Sequence, residues 1–124
     1  MKISLINVQI SEGNNIVPPL GILYIAAALE RQGHELQVFD IDPDVSPCVE
    51  QIKVFAPHIV GLSCYTNTYP KAQRLTEKLK QELPHAIFIC GGVHATAKPV
   101  ETMRELRVDY LVYAEGERST SRLV

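Results

Sequence analysis

The sequence predicts an α/β protein with a doubly wound, five-stranded parallel sheet of strand order 2-1-3-4-5, in one domain over residues 1–124. Three observations carry that prediction. Short β-rich apolar runs alternate with helical patterns along the whole chain, giving βαβαβαβαβα. The runs Ile59-Val60-Gly61-Leu62 and Ala86-Ile87-Phe88-Ile89-Cys90 are continuous rather than alternating, the pattern of strands covered on both faces. Right-handed crossovers between such strands favour the doubly wound order.

The first strand is Lys2 to Val8, apolar and β-branched. A loop from Gln9 to Pro19, rich in Ser, Gly and Asn, is long for a βα connection, and long loops in compact domains are often functional. Pro18-Pro19 closes it and opens a helix, since proline fits the first helical turn. That helix, Leu20 to Arg31, is apolar on nearly its whole circumference, so more than one side needs a partner: the sheet on one, and a ligand, a second domain or a subunit on another. Gly33 ends it as a left-handed cap. Glu35 to Ile41 alternates, as a half-exposed edge strand does. Asp42-Pro43-Asp44 is a turn, and Cys48 to Phe55 a short helix.

The third strand, Ile59 to Leu62, turns abruptly polar and small at Ser63, Cys64, Thr66, Asn67 and Thr68. The helix that follows, Tyr69 to Glu82, has Thr68 as its expected N-cap and Pro70 in its first turn. Ala72, Leu75 and Leu79 form its inward stripe, while Lys71, Arg74, Lys78 and Gln81 face water. The fourth strand, Ala86 to Cys90, ends in Gly91-Gly92-Val93-His94-Ala95-Thr96, read as a loop. Pro99 opens a helix through Leu106. Asp109 to Tyr113 is the fifth strand, and Ala114-Glu115-Gly116-Glu117 leads into a fifth crossover helix that stops at Val124.

Composition narrows the function classes. A net charge of −2, with scattered Lys and Arg, gives no reason to expect nucleic acid. The longest apolar block, Leu20 to Leu29, is far short of the roughly 20 residues of a membrane span. No signal peptide is visible. Cys48, Cys64 and Cys90 are widely spaced, without a zinc pattern, and read as buried thiols of a reducing compartment. A cytoplasmic location is expected.

In this strand order the switch point lies between the first and third strands. The loops 9–19 and 63–68 flank it, with 91–96 beside them. Ligands of open α/β sheets bind at such carboxyl ends. Gly91-Gly92 lets a backbone come close to a ligand, and Ser63, Thr66, Asn67, Thr68 and Thr96 supply uncharged donors and acceptors. No GxGxxG follows the first strand and no GxxxxGK[ST] exists, so the usual dinucleotide and P-loop signatures are absent. The acidic cluster of a phospho-receiver and the phosphate loop of a flavodoxin are missing too. His94 stands at the carboxyl edge, as a candidate hydrogen-bond partner to ligand. His58 stands at the opposite edge, as a surface residue. A stand-alone enzyme using Cys64 or His94 would lack an evident orienting group.

Several segments together carry a resemblance: Pro18-Pro19-Leu20-Gly21-Ile22 with Ala26-Ala27-Ala28-Leu29, Val60-Gly61-Leu62-Ser63, Gly91-Gly92-Val93-His94-Ala95-Thr96 with Pro99, and Glu115-Gly116-Glu117. In this order they resemble the N-terminal cobalamin (B12)-binding domains of radical-SAM enzymes, the class B methylase and anaerobic magnesium-protoporphyrin monomethyl ester cyclase type. The resemblance implies the flavodoxin-like (Rossmann-like) fold derived above. It implies a cobalamin tail in the switch-point crevice and the corrin over the carboxyl edge. With the three loops it marks Pro19, Leu20, Gly21, Ser63, Cys64, Tyr65, Thr66, Asn67, Gly91, Gly92, Val93, His94, Glu115 and Gly116 as cofactor contacts, with no catalytic residue and no protein metal ligand.

Two departures qualify it. The DxHxxG after the first strand, whose histidine ligates cobalt in other cobalamin domains, is absent, so the resemblance implies binding without a histidine from that loop. Ala114 stands where the family often has Gly. The radical-SAM motif CxxxCxxC is also absent. The resemblance therefore implies that the chain is the N-terminal part of a longer methyltransferase or cyclase, with S-adenosylmethionine and the [4Fe-4S] iron–sulfur cluster in a downstream barrel domain. The alternative is a module of the same kind of enzyme that has kept the fold, lost the cofactor, and serves interaction or substrate recognition.

Overall fold

In the computed structural model of the chain, residues 1–9, 20–44 and 46–112 are described. The elements run β1 (Lys2–Val8), α1 (Leu20–Arg31), β2 (Glu35–Ile41), α2 (Cys48–Phe55) and β3 (Ile59–Ser63), then a 3-10 turn (Thr66–Thr68) and α3 (Tyr69–Glu82). They continue with β4 (Ile87–Gly91), α4 (Val93–Ala97), α5 (Pro99–Leu106) and β5 (Tyr110–Leu111). All pairings are parallel, in the order β2-β1-β3-β4-β5, as the sequence predicts. The expected crossover helix over 114–124 and most of the 9–19 loop lie outside the described residues.

Because side chains alternate along a strand, each strand feeds two cores. Ile6, Val8, Val60, Leu62, Phe88 and Cys90 point to one face, where Ile52 of α2, Leu75 and Leu79 of α3 and Leu106 of α5 cover them. Ile3, Leu5, Ile59 and Ile89 point to the other, under Ile22, Ala26 and Leu29 of α1. Burying a side chain such as Leu79 or Phe88 stabilises by about 1.5–3 kcal/mol, which explains why the central strands are almost purely apolar. Gly61 has the same cause: a Cβ there would stand 2.7 Å from Leu5 Cδ2.

The all-round apolar α1 resolves into two sides. Ile22, Ala26 and Leu29 lie on the sheet, whereas Leu23 and Tyr24 are exposed. The helix ends at Gly33, whose φ of +90° permits the reversal; Gly33 N–H donates to Glu30 O and His34 N–H to Leu29 O.

Three local features differ from the sequence reading. The segment 93–97 is helical rather than loop. Lys98, at φ −133° and ψ 67°, interrupts what would be one helix, because the residue before a proline is pushed out of the helical region. Thr68 does not cap α3 with its side chain; its Oγ1 accepts the Tyr65 N–H at 2.9 Å, closing the 3-10 turn. Lys71 does not simply face water but pairs with Asp42 and Asp44. Of the expected fifth strand, Tyr110 and Leu111 form the ladder, Asp109 N–H and Val112 N–H donate to Phe88 O and Cys90 O, and Tyr113 lies outside the described residues.

Candidate functional site at the carboxyl edge of the sheet

The register aligns one polar rung across the carboxyl ends of four strands. Asn7 of β1 pairs with Asp40 of β2 on one side and Ser63 of β3 on the other, and Ser63 pairs with Gly91 of β4. By alternation, these residues point to the α1 face, beyond Leu5 and Gly61. Asn7 is buried and its Nδ2 donates to Asp40 Oδ1 at 2.9 Å. Gln9 Nε2 donates to the same oxygen. The Asn7 side chain is thereby oriented by a hydrogen bond from its Nδ2, the kind of partner a buried polar group requires.

Ser63 is half-buried, and its hydroxyl makes no hydrogen bond among the described residues. It is the unengaged polar side chain of the rung. Directly over it comes Gly92, with φ +97° and ψ −174°, a conformation essentially reserved for glycine. A Cβ at residue 92 would stand 2.7 Å from Ser63 Oγ and 3.2 Å from Cys64 N and O. The missing side chain thus allows the loops after β3 and β4 to touch. Gly91 is less constrained, its nearest neighbour being Val112 at 3.6 Å. Gly21, in the first turn of α1, has open space where a Cβ would be. The first turn of α1 belongs to this edge, because the helix runs back antiparallel to β1.

The expected contact residues therefore divide. Gly21, Ser63, Gly91 and Gly92 lie at the carboxyl edge as expected. Tyr65, Thr66 and Asn67 are exposed on the loop after β3. Leu20 and Val93 open α1 and α4. Pro19, Glu115 and Gly116 lie outside the described residues. Cys64 turns its side chain into the core, where it is 1% exposed, and presents its backbone, with the carbonyl accepting the His94 N–H at 3.3 Å.

His94 is 5% exposed. Its ring stacks on Tyr69, with centroids 3.9 Å apart, and its Nδ1 lies 3.3 Å from Thr66 Oγ1. Sequence reasoning placed it at the right edge but did not foresee this enclosure, since nothing in GGVHAT marks the aromatic partner. It also missed Asn7 and Asp40, whose pairing depends on strand register. Burial pushes the Tyr69 phenol up to about 12, helped by Glu105, and among the described residues its hydroxyl has no hydrogen-bond partner.

The three cysteines are free and buried. Contact with Cys64, and then burial, pushes the Cys90 thiol well above its ordinary range; burial also raises Cys48. A thiol held protonated is a poor nucleophile. Among the described residues, no group of three or more His, Cys, Asp or Glu could hold a metal ion. No described helix is long and apolar enough to cross a membrane.

Known proteins resemble this chain both in sequence and in fold. The chain is 32% identical over 114 residues to the anaerobic magnesium-protoporphyrin IX monomethyl ester cyclase of Synechocystis, covering 87% of this chain and 23% of that protein. It is 33% identical over 111 residues to an uncharacterized methyltransferase of Pyrococcus horikoshii, covering 86% and 24%. The chain thus spans about a quarter of the length of these relatives. Among solved structures, the radical S-adenosylmethionine methyltransferase TsrM of Kitasatospora setae superposes with a TM-score of 0.81 at 16% identity, over 98% of this chain and 24% of that one. A cobalamin-binding protein of Desulfitobacterium hafniense gives 0.71 at 22% identity, over 99% and 58%. At these identities the two structures speak to the fold alone. Residues 6–124 match the family model of the B12 binding domain, and with the fold and the carboxyl-edge rung in place, the chain belongs to the B12-binding domain family.

Proposed function

We propose that the chain binds cobalamin at the carboxyl edge of the sheet, as the cofactor module of a radical-SAM methyltransferase or cyclase. The observation that carries this reading is the meeting of Ser63 and Gly92. An unengaged hydroxyl sits at the end of a central strand, beneath a loop that reaches it only because residue 92 has no side chain. Such a polar, backbone-lined wall suits the long, uncharged and phosphodiester parts of a nucleotide tail, which need hydrogen bonds and close approach rather than a cluster of cations.

In this reading Ser63 donates to the tail, and Gly91 and Gly92 let it lie against the backbone. Asn7, held by Asp40, supports the floor of the crevice. Gly21 leaves room on the α1 side, and Tyr65, Thr66 and Asn67 border the mouth. Pro19, Leu20, Val93, Glu115 and Gly116 complete the contact set in the same proposal, with Cys64 contributing through its backbone. When bound, cobalamin supplies a cobalt centre that can accept and donate one-carbon groups. The chain's own residues bind and orient it. S-adenosylmethionine and the iron–sulfur cluster belong to the remaining part of a longer protein, with which this domain would pack. That protein would work in the cytoplasm.

Titration with hydroxocobalamin, followed by the visible spectrum and by co-elution on gel filtration, tests the reading. Saturable binding with a one-to-one limit is expected. Absence of both a spectral change and co-elution, in the longer protein as well as in this chain, would rule it out.

A further inference from the structure

Three of the four histidines stand at the amino-terminal edge of the sheet. His34 Nδ1 lies 3.2 Å from the Met1 amino nitrogen, His58 Nδ1 accepts the Lys2 N–H at 3.0 Å, and His85 precedes β4. His94 alone lies at the carboxyl edge, and there it faces its neighbouring loop. One residue after β4 makes three contacts with the segment after β3: its N–H donates to Cys64 O, its Nδ1 meets Thr66 Oγ1, and its ring stacks on Tyr69 at an interplanar angle of 29°. The Gly92–Ser63 approach joins the same two segments. Beyond the last ladder pair, Ser63 and Gly91, these two segments are thus linked among the described residues by His94, through its ring and its backbone N–H, and by the close approach at Gly92.

Resting on the cobalamin reading above, we propose that His94 is a positioning residue: by pinning the segment 92–97 to Thr66 and Tyr69, it fixes the separation of Gly92 from Ser63, and it acts on the cofactor only through that wall. Its ring is enclosed by protein and one nitrogen is already engaged, so its contribution is to hold two binding loops in one geometry before the ligand arrives. Pre-ordering of this kind raises affinity by removing the cost of ordering the loops on binding.

The test compares wild type, His94→Ala, His94→Phe and Thr66→Val by hydroxocobalamin titration, by the spectrum of the bound cofactor, and by amide hydrogen exchange without cofactor. His94→Ala should weaken binding on the order of tenfold, the scale of a lost supporting contact, and leave the bound spectrum unchanged. His94→Phe, which keeps the stack, should recover most of the affinity. Thr66→Val should give a smaller loss in the same direction. Exchange of the amides 65–68, on the opposite loop from the substitution, should speed up in His94→Ala.

Unchanged affinity and unchanged exchange at 65–68 would overturn the proposal. So would an altered bound spectrum that Phe does not restore, which would make His94 a cobalt ligand. If wild type itself fails to bind, it is the cobalamin reading that falls. Should His94→Ala not fold, Thr66→Val decides the matter through exchange of the amides 92–97 on the opposite segment without cofactor, which should speed up if His94 pins that segment to Thr66 and stay unchanged if it does not.

Discussion

Lys71 extends from the first turn of α3 and sets its ammonium 2.8 Å from both carboxylate oxygens of Asp42. The same nitrogen lies 3.1 Å from Asp44, which Arg74 also holds, at 2.9 Å. The two pairs differ in enclosure: the Lys71 and Asp42 side chains are 20% and 4% exposed, those of Arg74 and Asp44 59% and 41%. Removing the partner of an enclosed carboxylate leaves it without solvent to replace the lost contact, whereas exposed pairs contribute little. Lys71→Met should therefore lower the thermal midpoint more than Arg74→Ala. Equal losses in parallel melts would contradict this.

The same network sets two ends of a pH profile. Hydrogen bonds from Arg74 and then Lys71 hold Asp44 below its ordinary value of 3.8. Its stabilisation is present above that value and is lost as pH falls through the lowered one. The hydrogen bond to Asp42 holds Lys71 above its ordinary 10.5, so its stabilisation is present below 10.5 and is lost as pH rises through the raised value. Urea midpoints against pH should be flatter at the acid end in Arg74→Ala and at the alkaline end in Lys71→Met.

Tyr69 offers a spectroscopic check on the buried wall. Its phenol, pushed up to about 12 by burial, should give a late step in an absorbance titration, and Tyr69→Phe should abolish that step. The neutral phenol is the form the fold favours, so stability should decline between its ordinary value of 10.0 and the raised one, and less so in Tyr69→Phe. The hydroxyl has no partner among the described residues, so its removal should change stability at neutral pH by no more than about 1 kcal/mol. Tyr69→Ala, which also removes the ring under His94, should cost about 3–5 kcal/mol. A large loss in the Phe variant would mean that the hydroxyl has a partner after all.

Two glycines should respond in opposite ways. Gly92→Ala places a Cβ 2.7 Å from Ser63 Oγ in a conformation that L residues avoid, at a cost of about 1–3 kcal/mol, and should weaken cobalamin binding. Gly21→Ala meets nothing within 4 Å and should stabilise α1 by about 0.4–1 kcal/mol. If the cofactor lies against the first turn of α1, the second variant should still bind more weakly. Higher stability with undiminished affinity would move the cofactor away from that turn.

Ser63→Ala isolates the rung's unengaged hydroxyl. Nothing among the described residues loses a partner, so the melting curve should stay close to wild type. Affinity for hydroxocobalamin should drop roughly fivefold, as for one lost hydrogen bond. Wild-type affinity would show that the tail does not touch this residue.

The sheet order was legible in the sequence because it depends on features of single strands. The continuous runs of β3 and β4 mark burial on both faces, and the alternation of β2 marks an edge. What was not legible depends on pairs. Asn7 and Asp40 stand far apart in the chain and become partners only when β1 and β2 take their register. Lys71 looks like any solvent-facing helix cation until the turn after β2 brings Asp42 beneath it. His94 was placed at the correct edge, but its orientation follows from the extra helix α4, which Gly92 begins and the Lys98-Pro99 junction ends. Neither residue announces a helix of five residues.

The rung formed by Asp40, Asn7, Ser63 and Gly91 has a consequence for how this scaffold can change. The layers below it are apolar and interlocked, so almost any substitution there disturbs packing on one face or the other. The rung itself crowns the sheet, and its side chains answer to one another and to whatever lies above them. If cobalamin binds at this edge as proposed, ligand preference and foldability are encoded at different heights of the same strands. A lineage, or a designer, can rewrite the top line of the text without disturbing the page that holds it.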